Sequence, residues 1–248
     1  MAKSIVKEIL SRPFPISDEQ RDAILSNVRY TRVIAGAGAG KTETITRRIA
    51  YLYLVEGVEP SSIVAFTFTE KAAQSMKSRI YQRVEQVAGP AATAKLGEMY
   101  IGTIHAYAKR ILDDYFGYGN YSVLDGNQEI AYLMRHGWGL SLDDFGRNYS
   151  GRIGNFLRTL GMVQSELLDS AVLSKEAPDF YHSYSKYMDL LEENKLLTFA
   201  TMISKAVEHL RENSETLEHV KYLIVDEFQD INQAQNDFIQ LIAGDGGI

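Results

Sequence analysis

The chain has 248 residues, 45% of them hydrophobic and 23% charged, with 5 Pro and 19 Gly, a balance that buries a sizeable core and excludes disordered and collagen-like chains. It contains no cysteine, which excludes a disulfide framework, a thiolate zinc site and a cysteine nucleophile. The net charge of −6 argues against indiscriminate binding to polyanions, yet residues 1–110 carry 16 Lys+Arg against 10 Asp+Glu and residues 111–248 carry 10 against 22, so the first part can hold a polyanion locally.

In chain order, the opening MAKSIVKEILSRPF has too short an apolar run for a secretory h-region, and no stretch of ~18 apolar residues follows. A soluble, cytoplasmic protein without membrane contact is therefore expected. Ser17 and Gln20 have capping-box spacing and open a helix over 17–26. Residues 31–35 (TRVIA) read as a short strand ending in glycines, 42–55 as a helix, 62–68 (SIVAFTF) as a strand and 70–87 as a helix. Strand–helix alternation implies right-handed crossovers and a parallel sheet. From 112 to 197 the pattern changes to helical segments joined by Gly- and Asn-containing turns, and Tyr181, Tyr184 and Tyr187 form a packing stripe on one of them. Residues 221–225 (KYLIV) are an apolar run of the kind buried on both faces of a sheet, and 232–243 follow as a helix.

The sharpest chemical signal is AGAGAGKT, residues 35–42, between a strand and a helix. Ala35 departs from the strict phosphate-loop pattern, which asks for glycine there, but the remainder fits. In such a loop successive backbone N–H groups curl around a β-phosphate and the helix N-terminus adds a positive field. Lys41 reaches the β/γ oxygens, and the Thr42 hydroxyl can ligate Mg²⁺. The nucleotide-binding set of such a loop is then Ala37, Gly38, Ala39, Gly40, Lys41, Thr42 and Glu43. A dinucleotide fingerprint is excluded because its third glycine would fall at Lys41. The second signal is Asp226-Glu227-Phe228-Gln229-Asp230 at the end of the apolar strand. There an acid can hold Mg²⁺ and its neighbour can orient the attacking water.

AGAGAGKT, FTFTEKAAQSMKSRI, IGTIHAYAKRIL and VDEFQDINQAQ, in this order, resemble the UvrD/Rep/PcrA family of superfamily 1 DNA helicases, in which the phosphate loop commonly begins with alanine. The likeness is dense over 30–110 and 198–243. It implies an α/β fold: a RecA-like P-loop NTPase parallel sheet flanked by helices (1–111 and 198–248), with a helical insertion subdomain (112–197). It also implies ATP and Mg²⁺ as cofactors. By this resemblance Lys41 and Thr42 serve the triphosphate and metal, Asp226 coordinates Mg²⁺, Glu227 is the catalytic base, and Gln229 and Asp230 link the γ-phosphate to DNA-binding motifs. Gln20 matches a glutamine that reads adenine, though the capping box makes its own claim on that side chain. Thr67, Phe68, Thr69 and Lys71, then Thr103 and His105, match motifs that contact single-stranded DNA, with Glu70 standing where some members have Asn. A lone His at a helix start can equally be a local hydrogen-bonder.

The family continues past the position of Ala243 into a second RecA-like domain that supplies arginine fingers. The chain is therefore expected to be the N-terminal portion of a 3′ to 5′ ATP-dependent helicase or translocase, weak in hydrolysis by itself. A phosphate-loop kinase shares the nucleotide site but does not explain TFTEKAA or DEFQD. A nucleotide-regulated DNA-binding module without motor activity is the other reading.

Overall fold

The computed structural model describes residues 2–11, 14–36 and 38–243. These form two compact units, one of Met1–Ile104, Leu217–Asp230 and Ile242–Ile248, the other of His105–Thr216 with Ile231–Leu241. The second unit thus begins seven positions earlier than the helical subdomain read from sequence, and it also takes in the segment after 230.

The first unit is built on a parallel sheet of β1 (Ile63–Phe66), β2 (Tyr100–Gly102) and β5 (Tyr222–Val225), in the order β2-β1-β5. Ile63, Val64, Ala65 and Phe66 are all buried, as a central strand with both faces covered requires. Its neighbours in sequence are α3 (Lys41–Leu54) and α4 (Glu70–Ala88), preceded by α1 (Ala2–Ser11) and α2 (Asp18–Leu25). Helix α4 starts where the Thr69 hydroxyl accepts from Ala72 N, and it buries Ala73, Met76, Ile80 and Val84 at i, i+3, i+7 and i+11, one apolar stripe of a 3.6-residue period. Met76, Ile80 and Val84 of that stripe join Ile9, Ile49, Leu52, Ile63 and Ala65 in one core.

Arg47 is fully buried in α3. Its guanidinium donates to Glu43 Oε1 at 2.7 Å, Leu10 O at 2.8 Å and Phe14 O at 3.0 Å, so the charge is both paired and hydrogen-bonded, as burial demands. It ties the end of α1 and the following segment to the helix behind the glycine-rich loop.

One expected element is absent. Residues 31–35 carry the side chains of a strand but make no ladder with any described strand, and Ile34 is 85% exposed. Side-chain propensity fits a residue to a pleated surface, yet a strand exists only where a neighbour completes its hydrogen bonds.

In the second unit, α5 (Ile104–Phe116), α6 (Gly126–His136), α7 (Tyr149–Ser165), α8 (Ser170–Glu176), α9 (Pro178–Glu193) and α10 (Phe199–Glu212) dominate, with α11 (Gln233–Ala243) as far as Leu241. Two short strands, β3 (Ser122–Leu124) and β4 (Leu196–Thr198), pair in parallel; three residues are too few for the period-2 signal to register in sequence. The core gathers Leu133, Phe156, Leu160, Phe180 and Leu191 around Tyr187, which is fully buried with its ring 5.6 Å from that of Phe156. The tyrosine stripe is a packing feature. No helix among the described residues is long and apolar enough to cross a membrane.

Candidate functional site

The glycine-rich loop leads into α3 through two left-handed residues, Gly38 at φ 77° and Gly40 at φ 82°, a conformation that glycine adopts without strain. Ala39 N donates to Gly36 O at 3.3 Å and Thr44 N to Gly40 O at 2.9 Å, so the loop closes directly onto the first helical turn. Gln20 secures it from outside: Oε1 accepts from Ser17 N at 3.1 Å in a complete capping box, and Nε2 donates to Ala39 O at 2.9 Å. The side chain is thus engaged with its own helix and with the loop. Ala37 lies outside the described residues.

A Cβ on Gly40 would meet Gln20 Nε2 at 2.8 Å, whereas one on Gly36 meets nothing within 4 Å. Gly40→Ala is therefore expected to cost ~1 kcal/mol or more in backbone strain alone, with Gly36→Ala close to neutral. Chemical denaturation of the two variants checks this; equal stabilities would contradict the loop geometry.

At the end of β5 the ladder continues through Asp226 N to Phe66 O at 2.9 Å. Glu227 then turns into the left-handed region at φ 55°, its amide donating to Asp226 Oδ1 at 3.1 Å. This turn delivers the Glu227 carboxylate to Lys41 Nζ, 3.5 Å away, while Lys41 also donates to Ala35 O at 3.4 Å. The Gln229 side-chain amide donates to Glu227. That bond, with Lys41 behind it, holds the Glu227 carboxyl below the usual carboxylate range. Asp226 goes the other way: burial and then the neighbouring Glu227 charge raise it.

Because the folded state binds the Asp226 proton more tightly than the unfolded chain does, the ionised side chain costs stability at neutral pH, and that cost vanishes as pH falls through the raised value. Asp226→Asn is accordingly expected to raise the thermal midpoint of the nucleotide-free protein at pH 8 and to abolish any Mg²⁺-dependent tightening of nucleotide binding. A lower midpoint would contradict the assignment.

Lys41, Thr42, Glu43 and Glu227 line one cavity of about 840 Å³ together with Phe14 and the polar edge of α4, Arg79, Gln82, Arg83 and Gln86. This is within the size range of ligand pockets. Glu43 also pairs with Arg83. Neither Phe14 nor the α4 edge stood out in the sequence, since a polar face on a helix ordinarily reads as solvated. No group of three or more His, Cys, Asp or Glu that could cage a metal occurs among the described residues. Thr42 is among the residues that line the cavity, whereas Asp226, one position before Glu227 at the end of β5, is not.

Of the residues expected on DNA, Phe68 is 68% exposed and Lys71 is exposed. Thr67 is buried, its hydroxyl donating to Thr69 O at 3.0 Å, and Thr69 caps α4. The Thr103 hydroxyl donates to Glu70 Oε1 at 3.1 Å. His105, in the second unit, packs edge-on against Phe199 at 5.3 Å, and burial lowers its pKa.

Residues 16–247 match the family model described as the UvrD/REP helicase N-terminal domain. The chain belongs to this family. Among UvrD/REP relatives it is 32% identical to the ATP-dependent DNA helicase PcrA of Bacillus subtilis, covering 96% of this chain and 32% of PcrA. It is 30% identical to DNA helicase II of Escherichia coli, covering 94% and 32%, and 31% identical to a probable DNA helicase of Mycoplasma pneumoniae, covering 92% and 44%. The chain thus spans less than half the length of these relatives. The parallel sheet flanked by helices agrees with the fold that the UvrD/REP motifs implied.

Proposed function

We propose that this chain is the ATP-binding portion of a DNA helicase or translocase that couples ATP hydrolysis to 3′ to 5′ movement on single-stranded DNA. The observation that carries the reading is the 3.5 Å approach of Lys41 to Glu227 in a cavity shared with Thr42. An ammonium and an acid from opposite ends of the unit's sequence flank one space that opens on a glycine-rich loop. In this reading the loop amides and Lys41 take the β/γ-phosphates, and Thr42 and Asp226 hold Mg²⁺, which when bound neutralises phosphate charge. Glu227 orients the attacking water, with Gln229 fixing its carboxylate. Gln20, hydrogen-bonded to the loop at Ala39, links base recognition to loop position.

Phe68 supplies an exposed ring for base stacking and Lys71 a charge for phosphate. Thr103 and Thr69 shape the ends of the elements that present them, and His105 lies at the start of the next helix. A C-terminal RecA-like domain contributes the arginine fingers, each worth ~10³ to 10⁵ in rate, so hydrolysis is slow wherever they are not engaged. The test is ATP turnover with and without single-stranded DNA, by this chain and by a longer protein carrying that domain. Slow turnover here with DNA-stimulated turnover and translocation in the longer protein is expected. DNA binding without translocation there would instead establish a nucleotide-regulated module.

A further inference from the structure

The chain's only tryptophan lies in the second unit. Trp138 sits in the short turn Gly137–Leu140 that follows α6 and is 72% exposed, more than any other large apolar side chain described in that unit. One face of its indole is taken: it lies parallel to the Tyr149 ring, with centroids 3.9 Å apart and planes within 4°. A ring covered at contact distance on one side and still so accessible has its other face open. Tyr149 is itself anchored. Its hydroxyl donates to Leu133 O at 2.9 Å, and Leu133 is fully buried. A Cβ on Gly137 would meet that hydroxyl at 3.0 Å, so the tyrosine packs closely on the end of α6. The ring pair is fixed before anything binds, and a second flat partner meets it at little cost in ordering.

Charge selects the partner. Residues 126–158 carry 4 Arg against 3 Asp+Glu, whereas the remainder of 111–248 carries 6 Lys+Arg against 19. Of those three acids, Asp143 is paired with Arg152 and Glu129 accepts from Tyr187. Arg135, about one helical turn before Trp138, and Arg147, two positions before Tyr149, are both exposed. Ile130 and Met134, on the same line of α6 and 47% and 42% exposed, also suit a protein helix. A local excess of arginine in an otherwise acidic stretch favours a polyanion instead. An open aromatic face beside cations stacks unpaired bases of any sequence while the cations hold phosphates.

We propose that Trp138, backed by Tyr149, is a stacking platform for an unpaired base of a single strand, with Arg135 and Arg147 on its phosphates. The platform is separate in sequence from the motifs that carry Phe68 and Lys71. It rests on the reading that the chain acts on single strands and is independent of the ATP chemistry.

A lone tryptophan makes its emission a direct readout of this position. The test is titration of the nucleotide-free chain with 5′-labelled oligo(dT) and with an abasic strand of equal length, following label anisotropy for total binding and tryptophan emission for the platform. Oligo(dT) is expected to quench the emission and the abasic strand, at saturation by anisotropy, to leave it unchanged. Trp138→Ala should weaken oligo(dT) binding by roughly 5- to 150-fold, the contribution of one stacked base, with Trp138→Phe retaining most of it. Arg135→Ala should weaken both strands alike. Anisotropy that rises with no change in emission, or equal quenching by the abasic strand, would overturn the platform while leaving strand binding intact. Emission that changes with protein concentration in the absence of any strand would overturn it in favour of an interface between copies of the chain. Flat anisotropy with either strand would sink the single-strand reading itself. The two strands decide the question on the unmodified chain even if a variant fails to fold.

Discussion

Lys41→Ala is expected to weaken Mg·ATP binding by about 100-fold or more, the largest effect of any single substitution in the phosphate site. The ammonium meets the glycine-rich loop 3.4 Å from Ala35 O and lies 3.5 Å from Glu227. A charge-assisted hydrogen bond to phosphate contributes ~1.5–3 kcal/mol, and each 1.4 kcal/mol is about tenfold in affinity. Removing the ammonium has a second consequence, because Glu227 then faces the incoming polyphosphate with no cation between them. Fluorescent-nucleotide titration measures the loss. An affinity equal to that of the parent protein would defeat the site assignment.

Glu227→Gln is expected to separate binding from chemistry. A positioned general base contributes ~10² to 10⁴ in rate, so single-turnover hydrolysis should fall by that factor. Nucleotide affinity should hold or improve, since Lys41 is released from its carboxylate partner and one negative charge leaves the cavity. Gln229 enters the same argument from the other side. Its amide donates to Glu227 and, ahead of Lys41, keeps that carboxyl ionised to lower pH, so Gln229→Leu should shift the acid limb of the rate profile upward. Unchanged single-turnover rates in Glu227→Gln would remove it from the chemistry and leave a structural ion pair.

How far the site was legible in advance varies with the range of the interaction that makes it. The Thr69 cap of α4 and the left-handed glycines at 38 and 40 are settled within a few residues, but their motifs point to DNA and to a phosphate without giving the backbone conformation. The capping box of Ser17 and Gln20 is equally local and was read from its spacing. The second engagement of Gln20, to Ala39 O, was not, because it joins helix α2 to a loop nineteen positions on. Phe14 and the Arg79–Gln86 edge reach the cavity only through the packing of α1, α3 and α4 with Arg47 at its centre. Residues 31–35 fail in the opposite sense: a strand composition stands exposed because no described strand pairs with it.

The sequence by itself determined the local half of this protein: most of the helical stretches, the cap that opens α2, and which loop has the glycines to wrap a phosphate. Its apolar run at 221–225 suggests a strand buried on both faces, whereas β5 stands at the edge of the β2-β1-β5 sheet with only Leu223 buried, and β1 is the central strand. Only the tertiary structure decided which of those pieces meet. Parallel pairing of β1 with β5 sets Phe66 beside Val225 and thereby carries Glu227 to Lys41. It also decided which polar groups are left inside, Arg47 satisfied and Gln164 Nε2 not. Helix caps and periodicity are fixed by hydrogen bonds spanning about four residues, whereas strand pairing and burial depend on chain segments brought together from far apart, which no local pattern encodes.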